Sequence, residues 1–171
     1  MKEAQAGNKA AFGDLIIRYE RPLYGYLVRL LRDEEAARDA FQDTWFRVLK
    51  ALDRFDVDLK FAPWMYRIAT NLCRDQMRRR KLRRHPSLDQ PVGAEEEAVF
   101  ADFVADPGPR PDEDAGSSDV GEHVRRAVET LPPRQQEAFV LRHYQGLTYE
   151  EIARAQRCSL TAVKSNIHHA V

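Results

Sequence analysis

Residues 86–120 divide this chain in two. The stretch holds five of the nine prolines, three glycines, ten Asp/Glu and a single arginine, a net charge of −9. It has few large apolar side chains, so it cannot bury enough surface to offset its ordering entropy. As a free coil its 35 residues would span roughly 30 Å, and about 115 Å fully extended. The residues on either side are therefore expected to fold as two small units able to occupy separate sites. Val99, Phe100 and Phe103 are the exception within the stretch, enough for a short helical turn that docks on a partner.

Both flanks read as helical. Asn8 is placed to cap a helix carrying Phe12, Leu15, Ile16 and Tyr19. Pro22 is expected to start a second segment with Leu23, Tyr26, Leu27 and Leu30. Asp33 caps the next helix, with Glu34 and Glu35 in its first turn. That helix buries Ala37, Phe41, Thr44, Val48 and Leu52. A long helix begins near Ala62 or Pro63 and runs into an arginine cluster. Beyond the divide, one helix ends near Leu131 and a second runs from Arg134 to about Tyr144. Thr148 and Glu151 form a capping box that opens a third, Tyr149 to about Gln156. Ser159 caps a fourth. The tight turn Arg157-Cys158-Ser159 gives the last pair helix-turn-helix spacing. No segment alternates like a strand, so the expected fold is all-α, two helical domains joined by a flexible acidic linker.

Charge locates the chemistry. The formal net charge is zero, yet residues 61–88 hold eight Arg/Lys and one Asp, a net of +7. A basic segment beside an acidic tract suggests a polyanion-binding surface. On a helical wheel Trp64, Arg67, Asn71, Arg74 and Arg78 share a stripe of about 80°. Met65, Ile68, Ala69 and Leu72 fall on a separate face. Arg79, Arg80, Lys81, Arg83 and Arg84 extend the positive field. Guanidinium groups neutralise phosphates, an indole stacks on an unpaired base, and a carboxamide reads a base edge. The alternative from these residues alone is a solvated basic helix end with Trp64 in the core. In the last helix Leu160, Thr161, Lys164, Ser165, His168 and His169 face outward, residue types suited to a major groove, although a helical hairpin would look similar. The helix after Asp33 presents Asp39, Gln42, Asp43 and Phe46, a phenylalanine amid acids that fits a protein-contact patch or ordinary surface.

Other classes are disfavoured. The longest apolar run is four residues, Ala138 to Leu141, too short to span a bilayer, and the N-terminus has no signal-peptide apolar core. Cys73 and Cys158 are far apart and the five histidines show no metal-ligand spacing with them, which fits a reducing cytoplasm and no structural zinc. There is no nucleophile–base pair and no phosphate loop, so no catalysis is expected, and no cofactor.

Five stretches together resemble the extracytoplasmic-function (ECF) sigma factors of the sigma-70 family. Ala36-Ala-Arg-Asp-Ala-Phe-Gln-Asp-Thr-Trp-Phe-Arg47 is similar to the family's "AEDLVQETFLR". Ala62-Pro-Trp-Met-Tyr-Arg-Ile-Ala-Thr-Asn-Leu72 with Arg78-Arg-Arg-Lys81 is similar to "AWLYRIARNL…RRR". Leu131-Pro-Pro-Arg-Gln-Gln-Glu-Ala-Phe-Val-Leu-Arg142 is similar to "LPPRQREVFLLR". Gly146-Leu-Thr-Tyr-Glu-Glu-Ile-Ala153 and Ala162-Val-Lys-Ser165 are similar to "GLSYEEIA" and "TVKS".

The resemblance implies a promoter-recognition subunit with region 2 over 1–85, a linker over 86–120 and region 4 over 121–171. It implies core RNA polymerase as a partner, through its beta-prime clamp and beta subunits, with Asp39, Gln42, Asp43 and Phe46 at the clamp. Lys60 to Trp64, including Phe61, would form a loop near a flipped base of the −10 element. Arg67, Asn71, Arg74 and Arg78 would line the melted single strand. Thr161, Lys164, Ser165, Asn166, His168 and His169 would read the −35 duplex. The linker would thread the polymerase interior, and an anti-sigma factor would be a further partner. The resemblance implies no cofactor, no metal and no membrane insertion.

The chain departs from the family pattern in its last helices. Arg157 and Thr161 stand where glycine is common, Asn166 and His169 where arginine is usual, and the family commonly runs on for a basic turn or two past Val171. A DNA-binding regulator that works without polymerase, and an adaptor that keeps the fold without a DNA role, remain the rival readings.

Overall fold

The computed structural model describes residues 1–84 and 119–170. The Val99, Phe100 and Phe103 turn and most of the linker lie outside them. Among the described residues the elements are helical: α1 (Lys2–Gln5), α2 (Lys9–Leu31), α3 (Glu34–Ala51), a 3-10 turn (Leu52–Arg54), α4 (Phe61–Arg84), α5 (Asp119–Thr130), α6 (Pro133–His143), α7 (Tyr149–Gln156) and α8 (Leu160–His168). Helix α5 therefore begins two residues inside the expected linker.

Local signals set most boundaries. The Asn8 side-chain oxygen accepts the Ala10 and Ala11 amides at 3.0 and 3.2 Å. The Asp33 carboxylate accepts Ala36 N–H at 3.0 Å, and Arg80 reaches its other oxygen at 2.7 Å. These contacts hold the Asp33 carboxyl below its ordinary pKa, the Ala36 hydrogen bond most of all. The Thr148–Glu151 box closes on both sides, and Ser159 accepts Ala162 N–H at 3.1 Å. Arg157, between α7 and α8, is left-handed at φ 53°.

Pro22 starts no new segment. It lies inside α2, a single helix of 23 residues. Its missing N–H and ring clash cost about 3 kcal/mol. Downstream, Leu23, Tyr26, Leu27 and Leu30 are all buried, each contributing roughly 1.5–3 kcal/mol. Burial on one continuous rod outweighs the local break.

The first unit packs α2, α3 and α4 together. Helix α3 buries Ala37, Ala40, Phe41, Thr44, Trp45 and Val48. Helix α4 buries Met65, Tyr66, Ala69, Thr70, Leu72 and Cys73. Thr70 Oγ1 donates to the Tyr66 carbonyl at 2.7 Å, so the Tyr26 hydroxyl, 2.6 Å away, donates to Thr70. Burial raises the Tyr26 pKa and keeps that donor protonated. In the second unit, α6, α7 and α8 close around Ala138, Val140, Leu141, Ile152, Ala155, Val163 and Ile167. About 50 residues make a small core of marginal stability alone.

The two units are not apart. Helix α4 packs along α7, and α2 packs on α6. Their buried apolar residues form one continuous cluster.

Candidate nucleic-acid interface

Helix α4 is two-faced because its periodicity demands it. With Met65, Tyr66, Ala69 and Cys73 in the core, Trp64, Arg67, Asn71 and Arg74 come round to another side. All four of these are half-buried, and Arg78 is exposed beside Asp75 at 2.8 Å. Trp64 lies against Phe55, ring centroids 4.7 Å apart, and against Phe61 at 5.7 Å.

Phe61 does not belong to a surface loop. It is the first residue of α4, 6% exposed, with Trp45 at 6.3 Å, Phe55 at 6.0 Å and Tyr19 at 5.2 Å. It is the hub of an aromatic cluster and is unavailable to a base. Phe61 through Trp64 form the first helical turn, where Pro63 is tolerated. Only Lys60 of that group precedes the helix, and it is exposed.

The second unit reaches the α4 row at Arg74 and flanks it at Lys60 and Tyr66. Arg74 Nε donates to Glu137 Oε1 at 2.8 Å, and its Nη2 bonds the other oxygen. Glu137 is fully buried, and Gln156 Nε2 also donates to it, at 3.0 Å. Burial works against the Arg74 cation, yet Glu137's hydrogen bonds and charge raise its pKa overall. Lys60 Nζ reaches Glu151 at 2.7 Å, and Tyr66 OH donates to Gln145 at 2.7 Å. Burial lowers the Arg67 pKa, and the like charge of Arg157 lowers it further. On α2, the Arg29 guanidinium lies 4.1 Å from the Tyr144 ring centroid, and its carbonyl accepts Gln136 Nε2 at 3.1 Å. Buried Cys73, its thiol pKa pushed up by burial and by Glu137, is no reactive group.

The other two groups lie on open surface. On α8, Thr161, Lys164, Ser165, His168 and His169 are exposed and Asn166 is half-buried. On α3, Asp39, Gln42 and Asp43 are exposed. Phe46 is half-buried under Lys50, whose ammonium sits 4.2 Å from the ring centroid. Among the described residues no cluster of His, Cys, Asp or Glu could hold a metal, and no helix is long and apolar enough to cross a membrane.

Sequence reasoning missed Glu137 and Gln145. Glu137 had a signal: it falls on the stripe of Val140 and Leu141, an acid on an apolar face, which requires a buried partner. Arg80 was grouped with the positive field. It instead ties α4 to the α2–α3 corner through Asp33 and the Leu31 carbonyl at 3.2 Å.

Comparison with known proteins agrees along the chain. The family Sigma-70 region 2 matches residues 15–83, and Sigma-70, region 4 matches 122–171. The RNA polymerase sigma-H factor of Pseudomonas aeruginosa is 31% identical over 171 residues, covering 99% of this chain and 87% of that protein. The ECF RNA polymerase sigma factor SigW of Bacillus subtilis is 30% identical, covering 98% and 89%. Among solved structures, CnrH in complex with the cytosolic domain of CnrY superposes with TM-score 0.68 at 25% identity, covering 99% of this chain and 88% of that one. The sigma factor RpoE bound to the anti-sigma factor NepR from Bartonella quintana gives 0.69 at 22% identity, covering 94% and 91%, a likeness of fold.

Proposed function

Because this chain belongs to the ECF sigma factors of the sigma-70 family and directs promoter-specific transcription with RNA polymerase, we propose that α4 captures the melted −10 strand while α8 reads the −35 duplex. The observation that carries this is the α4 row itself. Trp64, Arg67, Asn71, Arg74 and Arg78 project from one side of a rod whose other side is anchored in the core. A rigid, two-faced helix keeps these groups preorganised for a strand.

The energetics come from binding. Sigma factors are transcription regulators, not catalysts. Unstacking costs a few kcal/mol per captured base. An aromatic platform returns about 1–3 kcal/mol per base. Arg67, Arg74 and Arg78 add salt-dependent phosphate contacts, with Lys60 at the helix entrance. Asn71 supplies an amide for a base edge. On α8, Thr161, Lys164, Ser165, Asn166, His168 and His169 present small polar and cationic groups to a groove.

The clamp contact falls to α3, where Asp39, Gln42 and Asp43 lie in the open beside Phe46. An anti-sigma factor is the expected regulator, since the similar fold RpoE was solved with the anti-sigma factor NepR, and CnrH with the cytosolic domain of CnrY. We assign region 2 to 1–85 and region 4 to 121–171.

The test is open-complex formation by holoenzyme reconstituted with core polymerase, read by permanganate reactivity of the −10 thymines. Trp64→Ala and Asn71→Ala should each lower it strongly. Unchanged melting in both would move the function to the adaptor reading.

A further inference from the structure

We propose that a cleft at the seam between the two units binds a nucleoside diphosphate, with its phosphates on Arg18 and Arg21 and its ring beside Arg29 and Tyr144. This is independent of what α4 and α8 bind.

The space suits one small ligand. A cleft of about 470 Å³ runs between α2 and the α6–α7 loop. Sites for small organic ligands occupy about 300–1,000 Å³ and favour the junctions between packed units. Pro22, Ala62 and Leu147 give this one apolar walls. Its volume suits a single nucleotide better than a strand.

Its charge selects an anion. Arg18, Arg21 and Arg29 all line the cleft, and none of its lining residues is acidic. The three share a stripe of about 80° on α2. Arg18 and Arg21 are exposed, and neither makes an ion pair or a side-chain hydrogen bond among the described residues. An uncompensated row of cations on a concave wall focuses positive potential. A guanidinium fork also matches two phosphate oxygens at once.

The inner end suits a planar ring. The Arg29 guanidinium already lies over the Tyr144 ring, 4.1 Å from its centroid, and guanidinium and tyrosyl faces both stack on bases. Arg29 stands eight residues past Arg21, about 12 Å along the helix. That spacing lets the two ends of one nucleotide use different cations. Gln145 Oε1 accepts the Tyr66 hydroxyl at 2.7 Å, and burial keeps that hydroxyl protonated. The Gln145 NH2 group is then the donor available to a ribose or base oxygen.

Gly25 ties these features together. It lies inside α2, where glycine is less favourable than alanine. A Cβ there would stand 2.9 Å from Arg29 Nη1. Any side chain would push the guanidinium from its place over Tyr144. Glycine keeps the floor of the cleft bare, with Arg29 laid across it.

The test is calorimetric titration of the full chain with ADP and GDP, set against inorganic pyrophosphate and adenosine. Saturable binding of a nucleotide is expected, tighter than that of either fragment. Arg21→Ala removes a charged hydrogen-bond donor and should weaken it about tenfold, as should Arg18→Ala. Gly25→Ala should weaken it several-fold with helical circular dichroism intact, a split that loss of structure would not produce. Arg38→Ala, an exposed arginine on α3, matches the charge change and should leave affinity unchanged.

No saturable binding of either nucleotide at millimolar concentration overturns the proposal. So does nucleotide binding that survives Arg18→Ala and Arg21→Ala together, since the anion then sits elsewhere. Pyrophosphate binding as tightly as the nucleotides overturns recognition of a ring by Arg29 and Tyr144, and with it the ligand class. An Arg21→Ala defect seen only with a single-stranded oligonucleotide would make the rim a strand contact and overturn the site as well.

Discussion

Two helices in this chain carry the residues suited to nucleic acid, and they meet solvent differently. On α8 the polar row from Thr161 to His169 is exposed apart from Asn166. On α4 the row from Trp64 to Arg74 is half-buried, with Arg74 held by a carboxylate that has no exposure. The cause lies in what each helix needs for stability. Helix α8 buries Val163 and Ile167 and leaves its outer face free. Helix α4 carries several cations on one rod, and two acids of the other unit, Glu137 and Glu151, compensate two cations of the α4 region. The same positive field that suits a polyanion makes α4 the natural dock for acidic side chains of its own chain.

Arg74→Ala breaks this contrast most severely. It strands Glu137 in the interior, a change of about 3–5 kcal/mol when one partner of a buried pair is removed. Amide hydrogen exchange should show protection falling together along α4 and α7, with α3 unaffected. Equal protection in the variant and the wild type would mean that Arg74 does not hold the seam.

Next comes Trp64→Ala in the holoenzyme. Loss of a stacking platform at about 1–3 kcal/mol corresponds to roughly 5- to 150-fold in open-complex formation. The matching change on the open face, Lys164→Ala, should be milder. One phosphate contact fewer lowers the salt dependence of duplex binding by about one unit of slope and weakens all sequences alike. A sequence-selective loss at Lys164 would sharpen the contrast, since it would make that residue a base reader.

How much of this was legible in the sequence depended on range. The caps at Asn8, Asp33, Thr148 and Ser159 are local chemistry within three residues, and each stands where the sequence indicated. The two-faced pattern of α4 is likewise a matter of spacing. Pro22 misled because burial several residues downstream outweighs a local penalty. Phe61 misled because an aromatic residue beside Lys60 reads equally well as a stacking surface or as a core hub. Glu137 escaped because its partner lies 63 residues away, and no periodicity reports such a pairing.

A smaller effect is expected at Arg157. It takes the left-handed conformation at φ 53° that ends α7, and a non-glycine residue there is strained by about 1–2 kcal/mol. Arg157→Gly relieves that strain, while the added freedom of the unfolded chain takes back roughly 0.4–1 kcal/mol. A net gain of up to about 1 kcal/mol should appear as a slightly higher melting temperature. An unchanged or lower melting temperature would mean that the left-handed turn at Arg157 stores no strain that glycine relieves.

The least effect is in acid. Burial alone would raise the Glu151 pKa. The Lys60 hydrogen bond, the Thr148 amide and the charges of Lys60 and Arg154 outweigh it, so the carboxyl lies below its ordinary 4.5. A depressed carboxyl favours the folded, ionised form. Its contribution is therefore fully present above about pH 5, and is lost as pH falls through the lowered pKa. Asp33 and Glu150 are depressed as well, each chiefly by a backbone hydrogen bond, and act in the same direction. An acid titration followed by circular dichroism should show stability flat near neutrality and falling below about pH 4.5. Glu151→Gln removes one titrating group, so its curve should fall less steeply. Because Glu151 serves both the α7 cap and the Lys60 contact, acid should loosen the covered face of α4 while the exposed row of α8 changes little. Equal change on both faces would mean that Glu151 acts through the cap alone.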